Sequence, residues 1–405
     1  MEYLKHLRNH TLVNLDAQLK GPTLVRTDIN LPVVEGHVAS DALRLRVYSH
    51  MLELYAERSG LVVMAHQGRK GDDDFLPLKE HASLLGSLVR EATIEFIPHD
   101  AIFSDETKRR IAGVKRGEII LLDNVRYFDF EKKFELDSCP YQSLFEGSIA
   151  TCVNDAMPAW HRADSSMMVL PHIATTFVGL RSAYELEIVE GIMGNGQNKA
   201  LISGGKKLQK VTDLQRIFAS GVDGFTGGLV GQLIARVRGH DLGKANNDFI
   251  EAKFDEKELE DARLIASLQN VEHPCDFTVL ENGEKRNVEL KDLRACDGQI
   301  VDIGEGTVER WARRLEAKEI RIRAGPLGVY EKGYVNGVEL TKRIAGSGLV
   351  FLGGDTSQEV VESGLESHII DAGGKLLVSG GAALHRLAGG GYPPLDEMLV
   401  LQRKA

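Results

Sequence analysis

Cysteine is scarce in this chain, with four residues in 405, at positions 139, 152, 275 and 296. They form no C-x-x-C pair, so we expect neither a disulfide framework nor a zinc site, and we expect a reduced, cytoplasmic compartment. Long apolar runs are missing too. None approaches the ~20 residues that a helix needs to span a bilayer, and the first residues lack the apolar core of a signal peptide.

The common nucleotide and catalytic motifs are absent as well. The sequence contains no G-x-x-x-x-G-K-[ST], no G-x-G-x-x-G, no H-E-x-x-H, no G-x-S-x-G and no H-R-D. Any nucleotide therefore binds through another arrangement. The formal net charge of −10 argues against non-specific attachment to nucleic acid or to a membrane surface, and we expect neither as a partner.

What the chain does contain is a regular alternation of short apolar runs and helical stretches. Strands are predicted at Leu24–Asn30, Leu61–His66, Glu118–Asn124, Ala150–Asp155, Ala200–Gly204, Gly221–Thr226, Gln299–Ile303, Glu319–Ala324, Leu349–Leu352 and Lys375–Ser379. Helices are predicted to begin near Ser40, Leu78, Val211, Leu229, Glu256, Thr307, Val335 and Ser357. This alternation is typical of an α/β fold with parallel sheets covered by helices on both faces, where ligands bind beyond the carboxyl ends of strands.

The first helix has the clearest pattern. Ser40 is expected to be its N-cap, and Asp41 favours the helix dipole. One face is then predicted to carry Leu43, Val47, Met51 and Leu54.

Two domains are expected. Ser182–Met193 is predicted to be a helix, and the stretch Gly194–Asn198, GNGQN, breaks the pattern after it. We predict an N-terminal domain over residues 1–180, a hinge helix and linker over 181–198, and a C-terminal domain over 199–388. The tail over 389–405 is expected to pack back on the N-terminal domain.

In the first half, polar and cationic residues follow the strands. They are Asp28, Asn30, His66, Arg69, Arg126, His161 and Arg162, with Arg44 in the first turns of the Ser40 helix. Arginine suits forked binding of phosphate or carboxylate, so this set indicates a small ligand with two anionic groups. Taken singly, each arginine could instead form a surface ion pair, each histidine could be non-catalytic, and Asp28 and Asn30 could cap a turn.

In the second half, two glycine turns suit phosphates: SGGKKLQK at Ser203–Lys210 and FLGGDTSQEV at Phe351–Val360. Asp355 could hold Mg²⁺ on a nucleotide or could be an N-cap. Lys206, Lys207 and Lys210 could bind phosphate or lie on a solvated face. Glu331 could bind ribose or be merely exposed, and Gly227–Gly228 could admit a flat base or form a tight junction.

Together these segments resemble phosphoglycerate kinase. The matches in chain order are RTDINLP, SDALRLR, AHQGRK, LLDNVRYF, VNDAMPAWHRADSS, GGKKL, GPLGVYE, LGGDTS and SGGAAL. The resemblance implies two Rossmann-like domains joined by a helical hinge. It also implies reversible transfer of the acyl phosphate of 1,3-bisphosphoglycerate to ADP, giving 3-phosphoglycerate and ATP, with Mg²⁺ as cofactor. We expect a cytoplasmic monomer of glycolysis or gluconeogenesis.

The resemblance also assigns residue roles. Asp28, Asn30, His66, Arg69, Arg126 and Arg162 would hold the glycerate ligand, and Arg44 would meet the transferring phosphoryl group. Asp355 would bind magnesium, and Glu331 would bind ribose. Nucleotide contacts would further involve Gly205, Lys207, Lys210, Gly227, Gly228, Pro326, Gly353, Gly354 and Thr356. Lys207 would act in catalysis, together with the backbone N–H groups of Gly380 and Gly381.

Several positions depart from the family pattern. Ala324 stands where Asn is usual, Ser379 interrupts a glycine triplet, and Val211 replaces a second lysine. Gln67 and Lys70 differ in the substrate loop. Two rival hypotheses remain: a phosphotransferase for another small carboxylate or acyl phosphate, and a non-catalytic metabolite-binding relative, which Ala324 and Ser379 favour. The retained Arg44, Lys207 and Asp355 favour the kinase.

Overall fold

The chain folds into two compact units. The computed structural model describes residues 1–405 except positions 1, 2, 4–6, 8, 41, 195–197, 206–210 and 403–405. One unit comprises Met1–Met193 with Gly390–Ala405, and the other comprises Gly194–Gly389. Each contains a six-stranded parallel sheet flanked by helices. The predicted fold class, two Rossmann-like domains built on mainly parallel sheets and joined by a helix, is confirmed.

In the first unit the sheet order is β5-β6-β4-β1-β7-β8. These strands are β1 (Thr23–Thr27), β4 (Leu61–Met64), β5 (Thr93–Ile97), β6 (Glu118–Leu122), β7 (Thr151–Asp155) and β8 (Thr176–Val178), with a small ribbon of β2 (Val33–Val34) and β3 (His37–Val38). The helices are α1 (Leu15–Gln18), α2 (Leu43–Ala56), α3 (Lys79–Leu88), α4 (Asp105–Gly113), α5 (Pro140–Phe145), α6 (Ser165–Met168), α7 (Leu170–Ile173), α8 (Leu180–Gly194) and, after the second unit, α18 (Pro393–Gln402). The central strands are buried along their whole length, as expected for parallel strands covered on both faces.

In the second unit the sheet order is β11-β10-β9-β15-β16-β17. These strands are β9 (Lys199–Ser203), β10 (Asp223–Thr226), β11 (Val271–Glu272), β15 (Ile320–Ala324), β16 (Leu349–Leu352) and β17 (Lys375–Leu377). The helices are α9 (Val211–Ala219), α10 (Gly228–Val237), α11 (Lys244–Lys253), α12 (Glu256–Ser267), α13 (Glu305–Glu316), α14 (Asn336–Arg343), α15 (Gly354–Glu362), α16 (Glu366–Asp371) and α17 (Gly380–Leu387).

A small antiparallel sheet in the second unit differs from the sequence-based expectation. The predicted strand Gln299–Ile303 exists as β14, but it pairs antiparallel with β12 (Asp276–Glu281) instead of joining the parallel sheet. A hairpin links β12 to β13 (Glu284–Glu289). Its turn places Asn282 at φ 52° and Gly283 at φ 82°, a left-handed pair that Asn-Gly adopts readily.

The start of α2 also corrects a prediction. The helix begins at Leu43 and its N-cap is Ala42, without a side-chain cap, so Ser40 is not the N-cap. The fully buried face consists of Leu45, Tyr48, Leu52 and Tyr55. The predicted residues Val47, Met51 and Leu54 are only half-buried. The buried face differs from the predicted one because the rings of Tyr48 and Tyr55 are buried in the core.

Helix α8 is anchored at its first turn by the end of β7. The Asp155 carboxylate accepts the Ser182 N–H at 2.8 Å, and Tyr55 donates its hydroxyl to the same carboxylate at 2.8 Å. The Tyr55 oxygen in turn accepts the Leu180 N–H at 2.8 Å. A carboxylate at a helix N-terminus satisfies free N–H groups and the dipole, which explains why the helix begins here.

The C-terminal segment belongs to the first unit. The Tyr3 hydroxyl donates to Asp396 at 2.7 Å and accepts the Tyr392 N–H at 2.8 Å. Glu397 lies 2.8 Å from the ring Nε2 of His172. Residues from both ends of the chain and from the middle of the unit thus hold the segment.

All four cysteines carry free thiols, and Cys139, Cys152 and Cys296 are buried. Burial raises the pKa of the Cys152 thiol to about 12, so this thiol stays protonated and packs as a small apolar group. In the part of the chain that the structure describes, no helix combines the length and the apolar character that crossing a membrane requires.

Candidate functional site

A cavity of about 420 Å³ in the first unit has mainly cationic walls. It is lined by Arg69, Lys70, Arg126, Phe128, Asp129, Glu131, Lys132 and Arg162. These residues follow β4, β6 and β7, so they lie at the carboxyl ends of the strands, where ligands of parallel sheets bind.

The guanidinium groups at this cavity crowd one another. Burial lowers the pKa of Arg126 to about 10, and the charges of Arg162 and Arg26 add to the effect. Burial also lowers the pKa of Arg162, although Asp164 at 3.4 Å opposes the shift. The buried Nε of Arg126 has no hydrogen-bond partner in the described part of the chain. An anionic ligand would relieve this repulsion, so the cavity is suited to phosphate or carboxylate.

His66 lies among these charges as a neutral imidazole. Burial first, and then the charges of Arg126, Arg26, Arg162 and Arg44, hold the pKa of His66 well below its usual value. Arg26 Nη2 lies 3.1 Å from Nδ1 of His66. Because a guanidinium can only donate, Nδ1 accepts and the ring proton resides on Nε2. His66 therefore carries its single ring N–H donor on Nε2.

Arg44 connects the segment after β1, which contains Asp28 and Asn30, to α2. Its Nη1 donates to Asp28 Oδ1 at 3.1 Å and to the Asn30 carbonyl at 2.6 Å. Asp28 Oδ1 also accepts the Asn30 N–H at 3.1 Å. Asp28 therefore caps the turn after β1, as one of its two interpretations predicted. Asn30 Oδ1 accepts the Gly68 N–H at 2.8 Å. The structure thus brings the predicted residues of the first half, apart from His161, into one region of the first unit: Asp28, Asn30, Arg44, His66, Arg69, Arg126 and Arg162.

One departure from the family pattern, Gln67, is buried inside the loop after β4. Gln67 is fully buried, and its amide donates to the carbonyls of Leu31 and Asp74 at 3.0 and 3.1 Å. Its Oε1 accepts the Leu31 N–H at 2.8 Å and lies 3.0 Å from Nε2 of His81. Gln67 therefore holds the loop that presents His66 and Arg69.

Sequence reasoning missed four charged residues of this region: Arg26, Glu131, Lys132 and Asp164. Arg26 Nε donates to Ser166 Oγ at 2.9 Å, and Ser166 Oγ donates to Glu131 at 2.6 Å. Burial raises the pKa of Glu131 to about 7. Lys132 donates to Asp164 at 2.9 Å. Arg26 and Asp164 lie within the RTDINLP and HRADSS segments, so these motifs could have identified both residues as candidates.

We expect His66 to stay neutral between about pH 8 and pH 5. In the unfolded chain a histidine binds a proton below its ordinary pKa of 6.5, whereas folded His66 does not. The unfolded state then binds more protons, so the free energy of unfolding decreases as the pH falls below about 6.5, by up to about 1.4 kcal/mol per pH unit. NMR titration of the imidazole tests this, and unfolding of the His66→Gln variant, which lacks the slope, is the control. A ring titrating near 6.5 would contradict it.

In the second unit, glycine turns meet at the carboxyl edge of the sheet. Gly205 N–H donates to the Pro326 carbonyl at 2.7 Å, Gly227 N–H to Ser203 at 2.7 Å, and Gly228 N–H to Leu327 at 3.1 Å. A side chain at Gly228, where φ is 54°, would come within 2.9 Å of the Gly205 nitrogen. These N–H groups are engaged, so the three glycines supply close approach and space, not donors.

Two helix starts at the same edge supply donors. Gly354, Asp355 and Thr356 open α15, and Gly380 and Gly381 open α17, where N–H groups lack intrahelical partners. Gly353, at φ 102°, is the N-cap of α15, so Asp355 is not the N-cap. A Cβ at Gly380 would lie 2.7 Å from the Gly353 Cα.

The Thr356 side chain supports this edge. Its hydroxyl accepts the Gly325 N–H at 2.7 Å and donates to the Leu352 carbonyl at 2.9 Å. The Thr356 hydroxyl is therefore engaged, so a ligand would be bound by the Thr356 backbone N–H and not by its side chain.

Carboxylates gather beside this edge. Burial raises the pKa of Tyr330, and the charges of Glu362, Glu331, Glu359 and Asp355 raise it further. Glu331 and Asp355 are exposed. Within the described residues, no three His, Cys, Asp or Glu side chains are grouped to hold a metal ion. The predicted phosphate-binding residues Lys207 and Lys210 lie outside the residues that the structure describes.

A second cavity, of about 250 Å³, opens beside Gly205, Gly228 and Pro326. Its walls are largely apolar and include Leu229, Phe277, Leu280, Ile300, Leu327 and Val329. A planar apolar group fits such a space, next to turns that suit phosphates.

These observations define a two-domain α/β protein with a mainly cationic cavity in the first unit and glycine turns and helix starts at the sheet edge of the second. The phosphoglycerate kinase family model matches residues 15–389. The phosphoglycerate kinase of Methanopyrus kandleri is 29% identical over 391 residues, covering 93% of this chain and 94% of that protein. That of Aeropyrum pernix is 30% identical over 401 residues, covering 96% and 95%. The chain belongs to the phosphoglycerate kinase family, and family membership makes it a phosphotransferase.

Solved structures agree. The crystal structure of phosphoglycerate kinase from Pyrococcus horikoshii OT3 matches with a TM-score of 0.85 at 26% identity, over 96% of this chain and 98% of that one. The structure of phosphoglycerate kinase from Coxiella burnetii matches with a TM-score of 0.69 at 21% identity, over 98% and 99%, and supports the fold.

Proposed function

We propose that this protein transfers the acyl phosphate of 1,3-bisphosphoglycerate to ADP, reversibly and with Mg²⁺, as a cytoplasmic monomer of glycolysis or gluconeogenesis. The observation that carries the proposal is the crowding of Arg126, Arg162 and Arg26 around the neutral donor His66. A carboxylate at one end of a ligand and a phosphate at the other would engage this set. The glycine turns and helix starts of the second unit support a nucleotide as the other substrate.

In the first unit the proposed roles follow from the contacts. Arg69, Arg126 and Arg162 neutralise the ligand's phosphate or carboxylate, and His66 donates from Nε2. Asp28 and Asn30 orient the ligand and hold Arg44. Arg44, at the first turn of α2, is then available to the phosphoryl group that moves.

In the second unit Asp355 fits the proposed magnesium. Mg²⁺ is commonly bound by one or two carboxylates, with the remaining ligands coming from substrate phosphates and water, so a single exposed Asp355 at a helix start suffices. Bound there, the ion would neutralise negative charge on the nucleotide phosphates. Gly354, Thr356, Gly380 and Gly381 donate backbone N–H groups, Glu331 binds ribose, and Lys207 and Lys210 bind phosphate oxygens.

The chemistry needs no protein nucleophile or base. An acyl phosphate is already activated, so catalysis consists of alignment and charge neutralisation around the transferring group. The two ligands bind in different units and must meet, so we propose that α8 and residues 181–198 act as a hinge. Closure would also exclude water from the reacting phosphoryl.

A coupled assay with 3-phosphoglycerate and ATP, with and without magnesium, tests the proposal. We expect turnover only when Mg²⁺ is present. Turnover with another small carboxylate but not with 3-phosphoglycerate would replace the proposed substrate. Binding of 3-phosphoglycerate without any turnover would favour the non-catalytic relative, the alternative that Ala324 and Ser379 suggest.

A further inference from the structure

The apolar cavity of the second unit contains one polar group that the proposed function has not used. Gln232, on α10, lines this cavity and is 9% exposed. In the described part of the chain its amide makes no hydrogen bond and no ion pair. An amide on a cavity wall without a protein partner is able to bond a ligand that enters the cavity.

The neighbouring buried amide and carboxyl groups are already engaged. Asn246 donates to the carbonyls of Leu242 and Gly298 at 2.9 and 3.0 Å, and accepts the Ile300 N–H at 3.0 Å. Asp302 accepts the N–H groups of Ile303 at 2.8 Å and Asn336 at 2.9 Å. Among these three groups, only Gln232 has its donor and its acceptor available to a ligand.

The surroundings of Gln232 suit a planar group with a polar edge. Phe277 and Leu327 are buried in the cavity wall, and Phe249, 55% exposed, also lines the cavity. Gly205 and Gly228 border the same cavity and lie at the sheet edge where α15 and α17 begin, so a nucleotide with its phosphates at those helix starts would direct its base here.

We propose that Gln232 determines the base specificity of the nucleotide site by pairing with the edge of adenine; this inference rests on the proposed function. The amide oxygen accepts from the 6-amino group, and the amide N–H₂ donates to the adjacent ring nitrogen. A glutamine side chain matches this donor–acceptor pair of adenine in a bidentate manner.

The test compares ATP with purine riboside triphosphate, which lacks the 6-amino group, by calorimetric binding to the full-length protein. For the wild type we expect Kd to rise about 3- to 10-fold when the amino group is absent, the range of one hydrogen bond. The Gln232→Leu variant should bind ATP more weakly and bind both nucleotides alike. Gln299→Leu, an exposed glutamine at the same cavity, should discriminate like the wild type.

The outcomes separate this inference from the proposed function. Equal discrimination by Gln232→Leu and wild type, or no discrimination by the wild type, overturns the role of Gln232 whether or not the protein is active. If Gln232→Leu fails to fold, the isosteric Gln232→Glu replaces it, and it must bind ATP more weakly because it cannot donate to the ring nitrogen. Binding measures the base contact, whereas absence of turnover in the coupled assay would overturn only the kinase activity.

Discussion

Replacing Arg44 with alanine is expected to lower kcat by about 10³-fold while the fold persists, as for other arginines that face a transferring phosphoryl group. The physical reason is charge. Arg44 lies at the first turn of α2, where its guanidinium is held by Asp28 at 3.1 Å and by the Asn30 carbonyl at 2.6 Å. A side chain fixed in this way needs little reorganisation when negative charge develops on the phosphoryl. Steady-state kinetics in both directions measure the effect.

Two variants separate catalysis from stability. Alanine at Arg44 also leaves the buried carboxylate of Asp28, 3% exposed, without its cation. Arg44→Lys restores a positive charge near Asp28 but loses the fork, so we expect it to recover stability more than kcat. Arg46→Ala removes an exposed arginine from the same helix and should leave kcat unchanged. Near wild-type turnover in Arg44→Ala would reject the proposed role.

Much of the fold could be predicted from local sequence pattern. The alternation of apolar runs and helical stretches located most strands of both parallel sheets. It missed β5 (Thr93–Ile97), whose burial is only partial, β8 (Thr176–Val178), which has three residues, and β11 (Val271–Glu272), which has two. The β12–β13 hairpin could have been found, because Asn282–Gly283 between two alternating runs is a strong hairpin signal.

The charge network around Arg26 could not be predicted from local pattern. Arg26 is one of five fully buried residues in β1, whereas arginine is rarely buried without a partner. Its partners are distant in the chain: His66 lies 40 positions away and Ser166 lies 140 positions away. Only the packing of β1, β4 and β7 brings them together. For the same reason the neutral state of His66 follows from tertiary structure and not from sequence.

For the glycines of the second unit, too, the sequence predicted only part of their role. Sequence reasoning located the turns, but it could not tell which N–H groups remain available. Gly205, Gly227 and Gly228 use theirs at the sheet edge, and Gly353 donates to the Leu377 carbonyl at 3.0 Å. In the proposed nucleotide complex, the phosphates would therefore bind at the helix starts at Gly354 and Gly380, and the four engaged glycines would contribute only space.

The second large effect is expected for Asp355→Asn, in the first turn of α15. An amide oxygen is a neutral and weaker ligand for Mg²⁺ than a carboxylate, and losing even an outer-sphere partner of a metal costs 10- to 100-fold. We expect the magnesium concentration that gives half-maximal activity to rise by about 10²-fold, with the KM for 3-phosphoglycerate unchanged. Glu362→Gln removes the same charge from an exposed position on the same helix, so it separates a ligand effect from a general loss of negative charge. Magnesium dependence identical to wild type in Asp355→Asn, or an equal shift in Glu362→Gln, would show that Asp355 does not hold the ion.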